Sequence, residues 1–269
     1  MSDLTKESIE AAIKEYTEPH LGRDLVSTKL VKGVEIEGDQ VKVKVMLGFP
    51  AKGVVADIAA AVKETSPDTL VCIDAVSSLS GAKLEMDAWG LDLVLTSSQK
   101  CLALPPGLAF CAVNDRTMQR TKEVENRGWY FDFLRLEKHR TTNSTPATPA
   151  ISLIFALDKQ LDRIFEEGLE NRFARHSSMA ARSQAWAIEN GFGLFAPEGC
   201  RSQTVTTIEN HDKFNLGDLN AFLMERGMRV AGGYGPIKPY TFRIGHMGEL
   251  TLNDLNNLLE AMEEFLGKA

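Results

Sequence analysis

Glycine-rich phosphate loops are missing from this chain. No segment ends in Gly-Lys-Ser or Gly-Lys-Thr, which excludes a Walker-type nucleotide site. Cysteine is scarce. The four present are Cys72, Cys101, Cys111 and Cys200, and no two stand at the short spacing of a metal site. Cys72 and Cys111 fall in apolar, strand-like runs and are expected to be small core residues. A reducing, cytoplasmic setting fits such thiols best. Long apolar runs are also lacking: nothing approaches the roughly 20 residues that span a bilayer, so no membrane partner is expected. The start, Met1 to Glu7, is polar and acidic, unlike a signal peptide. Positive charge is in deficit, with 30 Lys and Arg against 37 Asp and Glu and a net charge of −7. Nucleic acid needs a clustered basic face and is not an expected partner.

What is there suits a globular chain. Its 269 residues are 43% hydrophobic and 25% charged, enough for one large or two ordinary domains. Residues 1–64 read as helix, hairpin, helix. Ser8 to Tyr16 puts Ile9, Ile13 and Tyr16 on one helical face, and Glu18-Pro19 breaks it. Val34–Glu37 and Val41–Val45 alternate about a Gly38-Asp39 turn. A second helix follows Pro50, from Val54 to Lys63. Residues 69–74, 92–96 and 108–113 are apolar on both faces, as strands of a parallel sheet covered on both sides would be. Pro105-Pro106-Gly107 marks a sharp turn. Residues 121–148 are mixed, with Trp129, Tyr130, Phe131 and Phe133. Pro149 should open a long helix to about Asn190, jointed near Gly168. The tail reads as strands near 203–208, 228–231 and 240–245, with helices near 215–226 and 251–266.

Two strand ends carry the chemistry. One run closes in Thr96-Ser97-Ser98-Gln99-Lys100, and the run Thr69–Ile73 closes at Asp74. Ligands of open parallel sheets sit beyond the carboxyl ends of strands. Pyridoxal phosphate uses such a pair, a lysine for the Schiff base and an acid for the pyridinium nitrogen. A solvated lysine and an aspartate turn are the plain alternatives.

The segments Asp74-Ala75-Val76-Ser77-Ser78, Asp87-Ala88-Trp89-Gly90-Leu91-Asp92 and Thr96 to Lys100 come in one order with Pro105-Pro106-Gly107-Leu108-Ala109-Phe110. Ser144-Thr145-Pro146-Ala147-Thr148-Pro149, Glu167-Gly168-Leu169-Glu170-Asn171 and Phe242-Arg243-Ile244-Gly245-His246-Met247-Gly248 follow. In this order, residues 65–269 resemble class V, fold-type I pyridoxal-phosphate aminotransferases of the alanine/serine–glyoxylate (pyruvate) group. The resemblance implies an α/β fold: a truncated large-domain sheet over 65–165 and an α+β small domain with its connecting helix over 166–269. It implies an enzyme that moves an amino group from alanine or serine to glyoxylate or pyruvate, and a homodimer. Lys100 would be the Schiff-base lysine and proton shuttle. Asp74 would hold the ring nitrogen protonated, Val76 would pack on the ring, and Gln99 would bond near the ring oxygen. Arg243 would clamp the substrate carboxylate in a bidentate grip; its plain alternative is a surface ion pair. Thr145 and Thr148 would reach the cofactor phosphate of the neighbouring subunit, although Thr148 before Pro149 also reads, first of all, as a helix N-cap. His246 is expected to be neutral and packed. No metal site is expected.

Asp24-Leu25-Val26-Ser27, the hairpin and Leu47-Gly48-Phe49-Pro50-Ala51-Lys52 resemble the small domain that precedes the ATPase of Mrp-family iron–sulfur carriers. No cysteine precedes residue 72, so this unit is not expected to ligate a cluster through thiolates. It stands where the aminotransferases carry their phosphate-cradling N-terminal part. The alternatives to catalysis are therefore an inactive fusion remnant or an iron–sulfur assembly binding module.

Overall fold

The structure, a computed structural model, describes residues 5–18, 23–27, 31–37, 40–45, 54–211 and 213–267. The chain divides into two compact units, Met1–Thr69 with Ala196–Arg201, and Leu70–Phe195 with Ser202–Ala269.

The first unit holds α1 (Lys6–Glu15), the paired β1 (Thr17–Glu18) and β2 (Arg23–Asp24), the hairpin β3 (Val31–Glu37) and β4 (Gln40–Val45), and α2 (Val54–Thr65). Thr5 and Ser8 form a reciprocal capping box that starts α1, satisfying two N–H groups the helix cannot pair itself. The hairpin pairs Val34 with Val43 and Ile36 with Val41. The expected Gly38-Asp39 turn and the 46–53 segment lie outside the described residues. Asp24 accepts from the amides of Val26 and Ser27 at 2.9 and 2.7 Å, an Asx turn that ends β2.

The second unit begins with a three-stranded sheet, β5 (Cys72–Asp74), β6 (Leu93–Ser97) and β7 (Ala109–Val113), in that spatial order. β5 runs parallel to β6, but β7 runs antiparallel to it, against the all-parallel expectation. The reason is the link. A parallel return needs a crossover of about a dozen residues or more, whereas 98–108 folds back on itself. Ser98 Oγ donates to Pro105 O at 2.8 Å and accepts from Leu108 N–H at 3.2 Å. Buried Asp92 locks the sheet's other end: Oδ2 accepts from Val71 N–H and Oδ1 from Asn114 Nδ2, both at 2.8 Å.

Only one face of this sheet is covered among the described residues. Val94 and Thr96 are buried, while Leu95, Cys72 and Cys111 are exposed. The two cysteines are thus not core residues. Their strands' apolar content suggested two covered faces, but the pleat places both on the open side.

Helices α3 (Asp115–Glu123) and α4 (Phe133–Arg140) follow, then α5 (Ile151–Glu167) and α6 (Leu169–Glu189), jointed at Gly168 as expected. The main core lies beyond the joint. There β8 (Gly193–Leu194), β9 (Val205–Glu209), β10 (Ala231–Gly232) and β11 (Thr241–Gly245) form one antiparallel sheet in the order β10-β11-β9-β8. α6, α7 (Leu216–Met224) and α8 (Leu252–Phe265) surround a core that includes Trp186, Phe192, Ile208, Phe242 and Met262. Trp186 and Phe192 stack at 5.6 Å between centroids. No helix among the described residues is long and apolar enough to cross a membrane.

Candidate active site

Lys100 and Asp74 leave the sheet from adjoining strand ends. β5 and β6 are parallel and hydrogen-bonded, Asp74 standing opposite Leu95. The Ala75 amide donates to Leu95 O at 2.8 Å, and Thr96 Oγ1 donates to Ala75 O at 3.2 Å. Cys101 Sγ then donates to Ser77 O at 3.2 Å, so the turn after Asp74 and the turn holding Lys100 are stitched together. The two strand ends thus adjoin, as those of a parallel pair do.

Each group keeps free valences for a ligand. Asp74 Oδ1 accepts from Val76 N–H at 2.9 Å, which aims the carboxylate and leaves Oδ2 without a partner among the described residues. Lys100 Nζ makes no hydrogen bond or ion pair there either. Ser97 Oγ, three residues before it, is buried without a hydrogen-bond partner among the described residues, although buried hydroxyls are usually paired. Val76 is half-buried and Gln99 exposed beyond the same strand ends. An amine, an acid and an orphaned hydroxyl suit a ring with a carbonyl, a basic nitrogen and polar substituents, so the donor set fits pyridoxal phosphate.

Arg243 comes from β11. Alternation sends Phe242 and Ile244 into the core, so Arg243 faces the other side of the sheet. Its Nε donates to Gly232 O at 2.8 Å, leaving the two terminal nitrogens without partners among the described residues. The same strand continues to the Lys100 turn. A Cβ placed on Gly248 would lie 3.0 Å from Ala103 Cβ and 3.4 Å from Lys100 O. His246 is the packed, neutral histidine expected. Thr206 Oγ1 and His246 Nε2 are 2.8 Å apart, and burial pushes the imidazole down to about 4.

Thr145 and Thr148 are both exposed, and neither shares a hydrogen bond with Asp74, Lys100 or Arg243. Thr148 is not the N-cap. α5 starts at Ile151, its cap position is Ala150, and no side chain caps it. Thr145 Oγ1 instead donates to Ala147 O at 2.7 Å, so the Thr-Pro-Ala-Thr-Pro segment forms its own turn before the helix begins.

A buried ionic cluster behind Lys100 escaped sequence reasoning. Arg172 is fully buried and donates to Ser80, Cys101 O, Glu167 and Glu249. Arg175 pairs with Glu167 at 2.7 Å and reaches Gly248 O at 3.1 Å. His176 Nδ1 lies 2.7 Å from Arg172 O, while the Gly248 amide donates to Nε2 at 3.1 Å. Both contacts are satisfied only by the neutral tautomer protonated at Nδ1. Burial lowers its pKa as well. The cluster's sequence trace is that Arg172 and His176 stand on the α6 stripe that Met179, Ser183 and Trp186 continue into the core.

The fold of residues 70–267 matches that of fold-type I aminotransferases. The chain's homologues and structural neighbours over most of its length are class V alanine/serine–glyoxylate aminotransferases. An uncharacterized aminotransferase of Methanocaldococcus jannaschii is 34% identical over 232 residues, covering 84% of this chain and 60% of the relative. The L-aspartate–glyoxylate aminotransferase of Paracoccus denitrificans is 35% identical over 207 residues, or 75% of this chain and 52% of that protein. The crystal structure of an alanine–glyoxylate aminotransferase from Nostoc superposes with a TM-score of 0.72 at 28% identity, over 81% of this chain and 57% of that one. The chain thus spans little more than half the length of these relatives. Residues 6–68 match the family described as iron-sulfur cluster assembly protein, in keeping with the resemblance noted for the N-terminal unit. Aminotransferases of this class depend on pyridoxal phosphate.

Proposed function

We propose that this chain is a pyridoxal-phosphate aminotransferase acting on a small amino acid and a 2-oxo acid, alanine or serine with glyoxylate or pyruvate. The observation that carries the reading is the pairing of Asp74 and Lys100 on adjoining parallel strand ends, both with free valences. When bound, the cofactor supplies an electron sink that acidifies the substrate's α-C–H bond. Asp74 holds a proton on the ring nitrogen by a charge-assisted hydrogen bond. Lys100 Nζ would be the cofactor's attachment point and the base for the substrate's α-proton. Val76 would pack on the ring and Gln99 would bond near its oxygen. Arg243 presents its two terminal nitrogens to the substrate carboxylate. Thr145 and Thr148 belong to the phosphate site of a neighbouring subunit. A homodimer would supply these two threonines across the subunit boundary. We further propose functional divisions at 1–64, 65–165 and 166–269, with the first as an accessory unit. An inert remnant would keep the Asp74–Lys100 geometry yet give no absorbance band with pyridoxal phosphate, so the titration separates it from the enzyme.

The test is a titration of the purified chain with pyridoxal phosphate. A visible absorbance band should appear and be lost in Lys100→Ala. L-alanine or L-serine should then discharge the band and release the matching 2-oxo acid. A wild-type chain that develops no band, or a band that persists in Lys100→Ala, would overturn the reading. Arg243→Lys should lower kcat/KM for the amino acid by about 10² or more, because an ammonium cannot make the bidentate grip.

A further inference from the structure

Lys100 sits in a turn closed by its own backbone bonds around one strained residue. Ala103 N–H donates to Lys100 O at 2.8 Å and Leu104 N–H to Ser98 O at 3.0 Å. Ala103 has φ of 55°, a left-handed conformation that residues with a Cβ adopt only when their surroundings impose it. The turn's internal bonds fix its closure, and contacts from outside it can hold the strained residue in place.

Arg172 is the side chain placed to do so. Its Nη2 donates to Cys101 O at 2.8 Å, the carbonyl of the residue next to Lys100. Its Nε bonds Ser80 O and Oγ at 3.1 and 3.0 Å, in the turn that follows Asp74. Its Nη1 bridges Glu167 at 2.7 Å and Glu249 at 2.9 Å. Glu249 adjoins Gly248, which packs on Ala103. One rigid guanidinium therefore joins the segments that carry Asp74, Lys100 and Arg243. Gln160 Nε2 reinforces it by donating to Glu249 Oε1 at 2.7 Å. A planar fork fixes the relative angles of its acceptors, which a lysine's single point of charge cannot.

We propose that Arg172 is a positioning residue for Lys100. It holds the 98–104 turn in its strained form and sets the amine's place relative to Asp74 and Arg243. This rests on reading Lys100 as the cofactor-binding amine, but its first test does not.

Hydrogen exchange on the full-length protein compares wild type with Arg172→Lys and Arg182→Lys. Arg182 lies on the same helix and bonds Asn256 and Glu189, away from the turn. The amides of Ala103 and Leu104 should exchange at least ten-fold faster in Arg172→Lys, while β9 and β11 keep their protection. Arg182→Lys should leave both amides unchanged. A pyridoxal phosphate titration, read by visible absorbance, should show at least ten-fold weaker binding for Arg172→Lys alone. Unchanged exchange at both amides overturns the proposal, as does an equal change in Arg182→Lys or a loss of protection spread evenly over β9 and β11. If wild type gives no absorbance band, the cofactor reading fails, and the exchange comparison still decides whether Arg172 holds the turn. Should Arg172→Lys not fold, Glu249→Ala removes one anchor of the same guanidinium. It should speed exchange at the two amides about three-fold, and no change there overturns the proposal.

Discussion

Gly81 has no room for a side chain. A Cβ there would lie 2.6 Å from Thr204 Cγ2 and 2.7 Å from Cys101 Sγ. Thr204 and Cys101 both donate to Ser77 O, so neither neighbour can yield without breaking a bond beside Asp74. Gly81→Ala should cost about 1–3 kcal/mol, the usual range for overpacking, measurable as a lower urea midpoint with an unchanged slope. The cysteines divide by position. Cys72 and Cys111 are exposed, whereas Cys101 and Cys200 are buried, and burial pushes the Cys101 thiol up to about 11. Alkylation of the native protein at pH 8 should label Cys72 and Cys111 and reach Cys101 and Cys200 only on unfolding. Equal labelling of all four would contradict this arrangement. His246 should register in the acid limb of stability. Its native pKa of about 4 lies below the ordinary 6.5. Between those values the unfolded chain binds a proton that the native state refuses. His246 should therefore make stability fall as pH drops from about 6.5 toward 4, by on the order of 3 kcal/mol, and His246→Gln should remove that share of the slope, leaving the part due to the lowered His176.

At the scale of elements, the joint between α5 and α6 concentrates the demands. Gly168 has φ of 80°, where a Cβ is strained, so Gly168→Ala should destabilise by about 1 kcal/mol or more. Glu167 ends α5 at that joint. The Arg175 guanidinium, with help from Arg172, holds its carboxyl down to about 2. A depressed carboxylate contributes stability that is present above its unfolded value of 4.5 and lost as pH falls through about 2. Glu167→Gln should lower stability at neutral pH and flatten the dependence between pH 4.5 and 2 in urea titrations repeated across that range. Periodicity made the joint, the hairpin and the C-terminal strands legible, because each follows from local pattern and chain-breaking residues. The direction of β7 was not legible. Its apolar run is the same in either direction, and only the self-bonded 98–108 link decides between them.

For the molecule as a whole, strand ends and residue types singled out Asp74 and Lys100 as candidates, and the segment order raised them above a solvated lysine and an aspartate turn. The segment order sufficed for the aminotransferase resemblance, now matched by relatives and solved structures over most of the chain. What only tertiary structure decided is how those groups are held. Arg172 looks like a surface arginine on an amphipathic helix until the fold buries it among Ser80, Cys101, Glu167 and Glu249. Cys72 and Cys111 look like core until one sheet face is seen to be open. Local sequence determines which residue types occur and the period at which they recur. Burial and partnership depend on contacts between residues distant in sequence, such as Arg172 with Glu249, and no local pattern encodes them.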